Sequence, residues 1–364
     1  DFAADLTIME DKRVGKSNRS KAICITVIVL LCIGLTGLFL MEYRSGNTNR
    51  KQKGSKNRTA EQTEQPIDWD SLQKVKLNHH KYGLLHKVTS WLIIGTDVSG
   101  NQDGIGEDYQ GAMADFMLLV VFDEENHSYG MLQLNRDTMT EIHLLDNKGE
   151  GEATADIQLC TAHWYGGNRQ QGCENTITAV SHLLGGVPID GYYELPMKAI
   201  PVLNKQVGGV TVTLEDDFSS VDAAMVKGKT ITLSDSQAFH YIHDRYGVGD
   251  EENTSRMRRQ RQYMSAFADK AKQKIAEDNQ FAATLLNALD SYAISEINQN
   301  DLMHYLDTIN EYQSQGMLTI DGKLKLGKAL GDGLEHREFY ADAASIEQIV
   351  KKLYPLMEQP KTNK

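Results

Sequence analysis

Cysteine is scarce in this chain, with four among 364 residues. None stands in a CxxC pair or a Cys/His cluster, so the usual ligand spacing of a zinc site is excluded. Cys24 and Cys32 fall in an apolar run and read as small buried hydrophobes. Cys160 and Cys173 fit either a local disulfide or two free thiols. There is no internal repeat and no helix-turn-helix pattern. Positive charge is also missing from most of the chain. Residues 1–66 carry eleven Lys and Arg against seven Asp and Glu, about +4, so the formal net charge of −12 leaves about −16 on residues 67–364. A body this acidic repels a phosphate backbone, so no nucleic-acid partner is expected.

What is present begins with residues 22–41, AICITVIVLLCIGLTGLFLM, twenty residues without a charge. As a helix this run spans the roughly 30 Å of a bilayer core. A cleaved signal peptide would have a shorter apolar core and a small-residue A-x-A site, which the following Glu42-Tyr43-Arg44 lacks. The reading is therefore a short cytoplasmic tail (1–21), one transmembrane helix (22–41) and a polar tether and lead-in (42–87). Cations flank both ends of the span, so charge does not fix its orientation. A short N-terminus ahead of a large domain favours a single-pass protein of the cell membrane with its domain extracytoplasmic.

From residue 88 the pattern turns globular. Residues 88–96, 116–122, 129–134 and 207–214 read as strands, two of them continuous apolar runs typical of full burial. Residues 175–184, 234–243 and 256–276 read as helices, the second opened by a Ser234/Gln237 capping box. The region past residue 280 reads as mainly helical, including 301–312 and 344–354. The short 123–128 turn makes its two strands antiparallel. The expected fold is α/β: a mixed central β-sheet with helices on both faces, preceded by the membrane helix.

Four places carry chemistry. Asp97 ends a buried strand, at the sheet edge where α/β folds meet ligands. Asp115 precedes the next strand, and two carboxylates at neighbouring strand ends suit a hard cation such as Mg²⁺ shared with phosphates. Arg136, in Asn135-Arg136-Asp137-Thr138, offers a donor fork that fits phosphate oxygens. Finally His243-Asp244-Arg245 precedes a helix bearing Arg256 and Arg259, whose early turns attract an anion through free N–H groups and the helix dipole. Each also has a plain structural reading, as a turn acid, a local ion pair or a solvated basic face.

Taken in order, these motifs resemble the LytR–CpsA–Psr family of cell-envelope proteins. The likeness runs from Trp91-Leu92-Ile93-Ile94-Gly95-Thr96-Asp97 through Ala114-Asp115-Phe116-Met117 and Leu134-Asn135-Arg136-Asp137-Thr138. It continues through Gly185-Gly186-Val187-Pro188-Ile189-Asp190-Gly191-Tyr192-Tyr193 and Gly208-Gly209-Val210 to Tyr241-Ile242-His243-Asp244-Arg245 and Ser255-Arg256-Met257-Arg258-Arg259-Gln260. It covers about residues 88–270, leaving 271–356 as a mainly helical part of the same domain and 357–364 as a tail.

The resemblance implies a phosphotransferase that moves a glycopolymer, of teichoic acid or capsule type, from polyprenyl pyrophosphate onto peptidoglycan at the membrane. It implies Asp97, Asp115 and Arg136 as catalytic, with Asp97 and Asp115 holding Mg²⁺ or Mn²⁺. It implies Arg136, His243, Arg245, Arg256 and Arg259 as pyrophosphate ligands. Three positions depart from the pattern: Met113 and His243 stand where the family has arginine, and Asn135 where it has proline. These departures keep a noncatalytic polyprenyl-phosphate-binding protein, or an assembly scaffold, as the alternative.

Overall fold

Two long apolar runs with a four-residue turn after the second make the middle of the sheet, because such runs are stable only when both faces are covered. In the computed structural model, residues 67–97, 106–109, 111–278, 280–297 and 299–360 are described. The expected membrane span, its cytoplasmic tail and the tether up to residue 66 lie outside them. Among the described residues no helix is long and apolar enough to cross a membrane.

Six strands form the central sheet: β1 (Thr89–Thr96), β2 (Ala114–Asp123), β3 (Ser128–Leu134), β4 (Gly191–Pro196), β5 (Ile294–Ser295) and β6 (Gln313–Thr319). Their order is β5-β4-β1-β2-β3-β6. The sheet is mixed, as expected: β1–β4 and β3–β6 are parallel, the other pairs antiparallel. The helices are α1 (Arg169–Leu183), α2 (Ile200–Gln206), α3 (Asp235–His243), α4 (Asn253–Glu277), α5 (Phe281–Leu289), α6 (Gln299–Thr308) and α7 (Ala343–Leu353).

Strand periodicity sends Met117, Leu119 and Val121 of β2 to one face and Leu118, Val120 and Phe122 to the other. The first set packs with Ala179 and Val180 of α1 and with Val350 and Leu353 of α7. The second packs with Trp91 and with Tyr305 of α6, so helices cover both faces. A separate core, around Leu203, Phe218, Tyr241, Tyr263 and Phe267, joins α2, α3, α4 and α5 beside the sheet.

The capping box expected at Ser234 is present in both arms: Gln237 N donates to Ser234 Oγ (3.2 Å) and Ser234 N to Gln237 Oε1 (2.9 Å). Helix α1 begins earlier than residue 175, capped by Asn168, whose side chain accepts from Gln171 N. The strand expected over 207–214 shrinks to Thr211–Thr213, paired with Thr230–Thr232 outside the central sheet. Gly208 and Gly209, at φ 74° and 85°, turn the chain just before it. Strands β6, Gly322–Gly327 and His336–Ala341 interrupt the region expected to be mainly helical. Cys160 and Cys173 are two buried free thiols, which decides between the two readings of that pair.

Candidate functional site

The site gathers where β2 begins and β3 ends. After β3 the chain turns at Asn135, whose side-chain oxygen accepts from Asp137 N (3.0 Å) and whose carbonyl accepts from Thr138 Oγ1 (2.6 Å). The turn places Arg136 against Asp115, at the start of β2, with Nε 3.1 Å from Oδ1. The other carboxylate oxygen accepts from Arg256 Nη1 at 2.9 Å. Asp137 Oδ2 accepts from Arg245 Nη1, also at 2.9 Å, and Asp137 Oδ1 lies 3.9 Å from Arg136 Nε. Arg256, Asp115, Arg136, Asp137 and Arg245 thus alternate in charge along one buried chain. Three arginines far apart in sequence converge, and the cluster keeps one net positive charge.

Burial raises the pKa of Asp115, but Arg256, Arg136, His243 and Arg245 outweigh it and hold the carboxyl below its ordinary value. Arg256 sits in the first turn of α4 and also donates from Nε and Nη2 to Asn253 Oδ1 (3.0 and 2.7 Å). At the far end of Arg136, Nη2 lies 2.7 Å from Met113 Sδ and 2.8 Å from Cys160 Sγ. Burial pushes the Cys160 thiol up to about 11, so at neutral pH it is a neutral, weak acceptor. Nη2 is therefore matched to weaker acceptors than a carboxylate or phosphate oxygen.

His243 is half-buried at the end of α3, with Nδ1 3.0 Å from Asp244 Oδ1 and its ring stacked on Phe239 at 4.8 Å. Asp97 leaves β1 at the same sheet edge as Asp115, its backbone N–H donating to Met113 O (3.0 Å). Arg259 is not brought into the network. Its Nη1 donates to Asp216 Oδ2 (2.7 Å), Nε to Tyr241 O (3.0 Å) and Nη2 to Asp244 O, and it is 1% exposed. With all three groups used, it braces the 244–250 loop from behind.

Sequence reasoning did not single out Asp137 as a long-range partner, nor Asn253. It also missed Glu194 on β4, which is fully buried. Glu194 accepts from Thr96 Oγ1 (2.6 Å) and pairs with Arg169 at the start of α1, fixing the corner from which Asp97 emerges. Burial pushes the Glu194 pKa up while Arg169 pulls it back. The one sequence signal was an acid inside an otherwise uncharged strand.

One turn along α4 from Arg256, Gln260 lines an apolar cavity of ≈ 130 Å³ between the sheet and α2–α4, whose walls also include Ile93, Phe116, Leu118, Ile200 and Met264. Ile242, also in the lining, adjoins His243. Among the described residues no group of three or more His, Cys, Asp or Glu is arranged to hold a metal ion. Both Asp115 oxygens face guanidiniums, Oδ1 that of Arg136 and Oδ2 that of Arg256.

A net-positive arginine cluster thus stands at a sheet end of a mixed α/β fold that also holds an apolar cavity. The chain belongs to the LytR_cpsA_psr family, which matches residues 44–354. It is 28% identical over 181 residues to the polyisoprenyl-teichoic acid–peptidoglycan teichoic acid transferase TagU of Bacillus cereus, covering 50% of this chain and 52% of TagU. It is 28% identical over 250 residues to biofilm regulatory protein A of Streptococcus mutans, covering 65% and 59%. The chain spans about half the length of the curated relatives it matches. The crystal structure of Bacillus subtilis TagV superposes with a TM-score of 0.53 at 19% identity, over 73% of this chain and 96% of that one. TagT bound to LI-WTA gives 0.52 at 19%, over 73% and 89%. These two likenesses concern the fold.

Proposed function

We propose that the chain is a membrane-anchored, extracytoplasmic phosphotransferase that moves a polyprenyl-pyrophosphate-linked glycopolymer, of teichoic acid or capsule type, onto peptidoglycan. The observation that carries this reading is the Arg136–Asp115–Arg256 and Asp137–Arg245 network beside an apolar cavity. Arg136, Arg245 and Arg256 bind the diphosphate and neutralise the charge that spreads over phosphoryl oxygens during transfer, with the geometry set in advance by Asp115 and Asp137. The cavity takes the first part of the prenyl chain, whose apolar surface gains about 25 cal/mol per Å² on leaving water. Asp97 and Asp115 would hold Mg²⁺ or Mn²⁺, and a divalent ion bound there supplies further neutralisation of the phosphate oxygens. His243 stands at the rim, within reach of the same anion. The name of TagU and the family membership agree with this reading, and the uncharged 22–41 run supports the anchor.

Binding of a prenyl pyrophosphate, measured by calorimetry, is the direct test. Arg136→Gln and Arg245→Gln each remove a charge-assisted interaction worth about 1.5–3 kcal/mol, so affinity is expected to fall roughly 10- to 100-fold. Unchanged affinity in both folded variants would sink the reading. A noncatalytic carrier-binding role is the second reading, favoured by Met113, which meets Arg136 with sulfur where the family has a guanidinium. Transfer of a labelled lipid-linked glycopolymer to isolated peptidoglycan separates the two: binding without transfer selects the second.

A further inference from the structure

Gln260, in the wall of the apolar cavity, accepts from Gln133, which lines a second cleft, of ≈ 240 Å³. It opens beyond the ends of β3 and β6, which run parallel with Gln133 opposite Thr319, the kind of place where α/β sheets receive ligands. Its walls include Gln133, Asn135, Arg261, Thr319, Asp321 and Phe339.

Arg261 is the unusual member. Among the described residues its neighbours Arg258 and Arg259 are paired with Glu215 and Asp216, whereas Arg261 has no carboxylate at ion-pair distance and donates to the neutral amide of Gln133. Burial, followed by the repulsion of Arg258, lowers its pKa against the weaker pull of Glu215. Asn135 uses its amide oxygen on Asp137 N and Asn253 Nδ2, which leaves its amide nitrogen without a partner among the described residues. Asp321 is held through its backbone by Ser345 and Asp342 and presents an exposed carboxylate. Phe339 is tied to the reactive turn, its backbone N–H donating to Asp137 O at 2.7 Å. Gly322 lies over the ring so closely that a Cβ there would stand 2.5 Å from Phe339 Cζ.

The remaining donors of Arg261, the Asn135 amide nitrogen, the Thr319 hydroxyl and the exposed Asp321 carboxylate do not suit a lipid, which would leave them unpaired. Nor do they suit a second phosphate, which Asp321 would repel. They suit a sugar ring, whose hydroxyls donate to a carboxylate and accept from a guanidinium or an amide nitrogen. We propose that this cleft binds one sugar of the acceptor glycan and brings its hydroxyl to the diphosphate across the Asn135–Asp137 turn. The assignment rests on the donor site proposed above.

A donor sugar would arrive attached to the diphosphate, whereas an acceptor sugar arrives alone, so separate probes distinguish the two sources. The experiment uses the full chain in detergent and three probes: a β-1,4-linked N-acetylglucosamine tetramer, a prenyl pyrophosphate, and a prenyl diphosphate carrying one sugar. Arg261→Ala removes the guanidinium. Thr319→Trp fills the cleft from an exposed position and spares the core. Both are expected to weaken tetramer binding tenfold or more and to leave both prenyl ligands within twofold. Three outcomes overturn the proposal: no tetramer binding by the natural chain, tetramer binding indifferent to both variants, or selective loss of the sugar-bearing prenyl diphosphate, which would make the cleft a donor subsite. Failure to bind the bare prenyl pyrophosphate would instead overturn the donor site while leaving tetramer binding readable.

Discussion

Asp115 serves two guanidiniums at once, and that double duty decides how variants at the site should be read. Removing one partner from a buried ion pair leaves the other charge uncompensated, at about 3–5 kcal/mol. An inactive Asp115 variant would therefore not by itself place its carboxylate in the chemistry, because Arg256 would be left 2% exposed and unpaired there. Position 243 is a cleaner probe, since His243 is only half-buried. An arginine there would bring a planar fork of donors with a fixed charge, which imidazole lacks. His243→Arg is expected to tighten prenyl pyrophosphate binding about tenfold, an increment of one added ion pair. Equal affinities for the natural chain and the variant would remove His243 from the anion site. The order of motifs was enough to nominate Arg136, Arg245 and Arg256. It could not separate Arg256 from Arg259, three residues on along the same helix, because what separates them is Asp115 on one side and Asp216 on the other. Those partners are set by folding and have no local signature, and the same is true of Arg261, whose distinguishing property is a partner it lacks.

Elements were legible where local rules agreed with burial. The runs of β1 and β2 left no alternative to fully covered strands, and the capping box at Ser234 fixed the start of α3 to the residue. Strand β6, QSQGMLT, was not legible, because an edge strand covered on one side needs no apolar run and its Gly316 breaks the alternation. Besides its core contacts, α7 is tied down by one acidic residue. Glu347 accepts from Asn78 Nδ2 (3.0 Å), from Tyr82 OH and from His80 Nδ1 (3.1 Å), tying the helix to the Gln73–Leu77 and His80–Leu84 hairpin. The hydrogen bond from Tyr82, then that from Asn78, hold Glu347 down to about 2, against an ordinary value of 4.5. The folded pKa lies below the unfolded one, so this contribution to stability is complete above about 4.5. It is lost as pH falls toward about 2. Glu347→Gln should lower the melting temperature at pH 7 and flatten its decline over that acid window. A parallel decline in both proteins would show that the clamp does not carry the acid sensitivity.

At the scale of the whole chain, charge is divided as sharply as structure. The about +4 of residues 1–66 lies on either side of the apolar run, and the acidic excess belongs to the folded part. With that part outside the membrane, protease added to intact spheroplasts should remove it at the 42–66 segment and leave a fragment of the N-terminal residues in the membrane. Full protection of the folded part would reverse the topology. The sheet adds a constraint of timing. Residues 128–134 find their parallel partner only at 313–319, so the edge of the sheet waits for nearly the entire chain to arrive. Contacts so distant in sequence form slowly, because the loop must close before the pairing rewards it. In a chain made from its N-terminal side, Arg136, Arg245 and Arg256 are present well before β6. The cleft beside Thr319 is then completed after the arginine cluster, and on the function proposed above a nascent chain could hold its donor before it had a place for the acceptor.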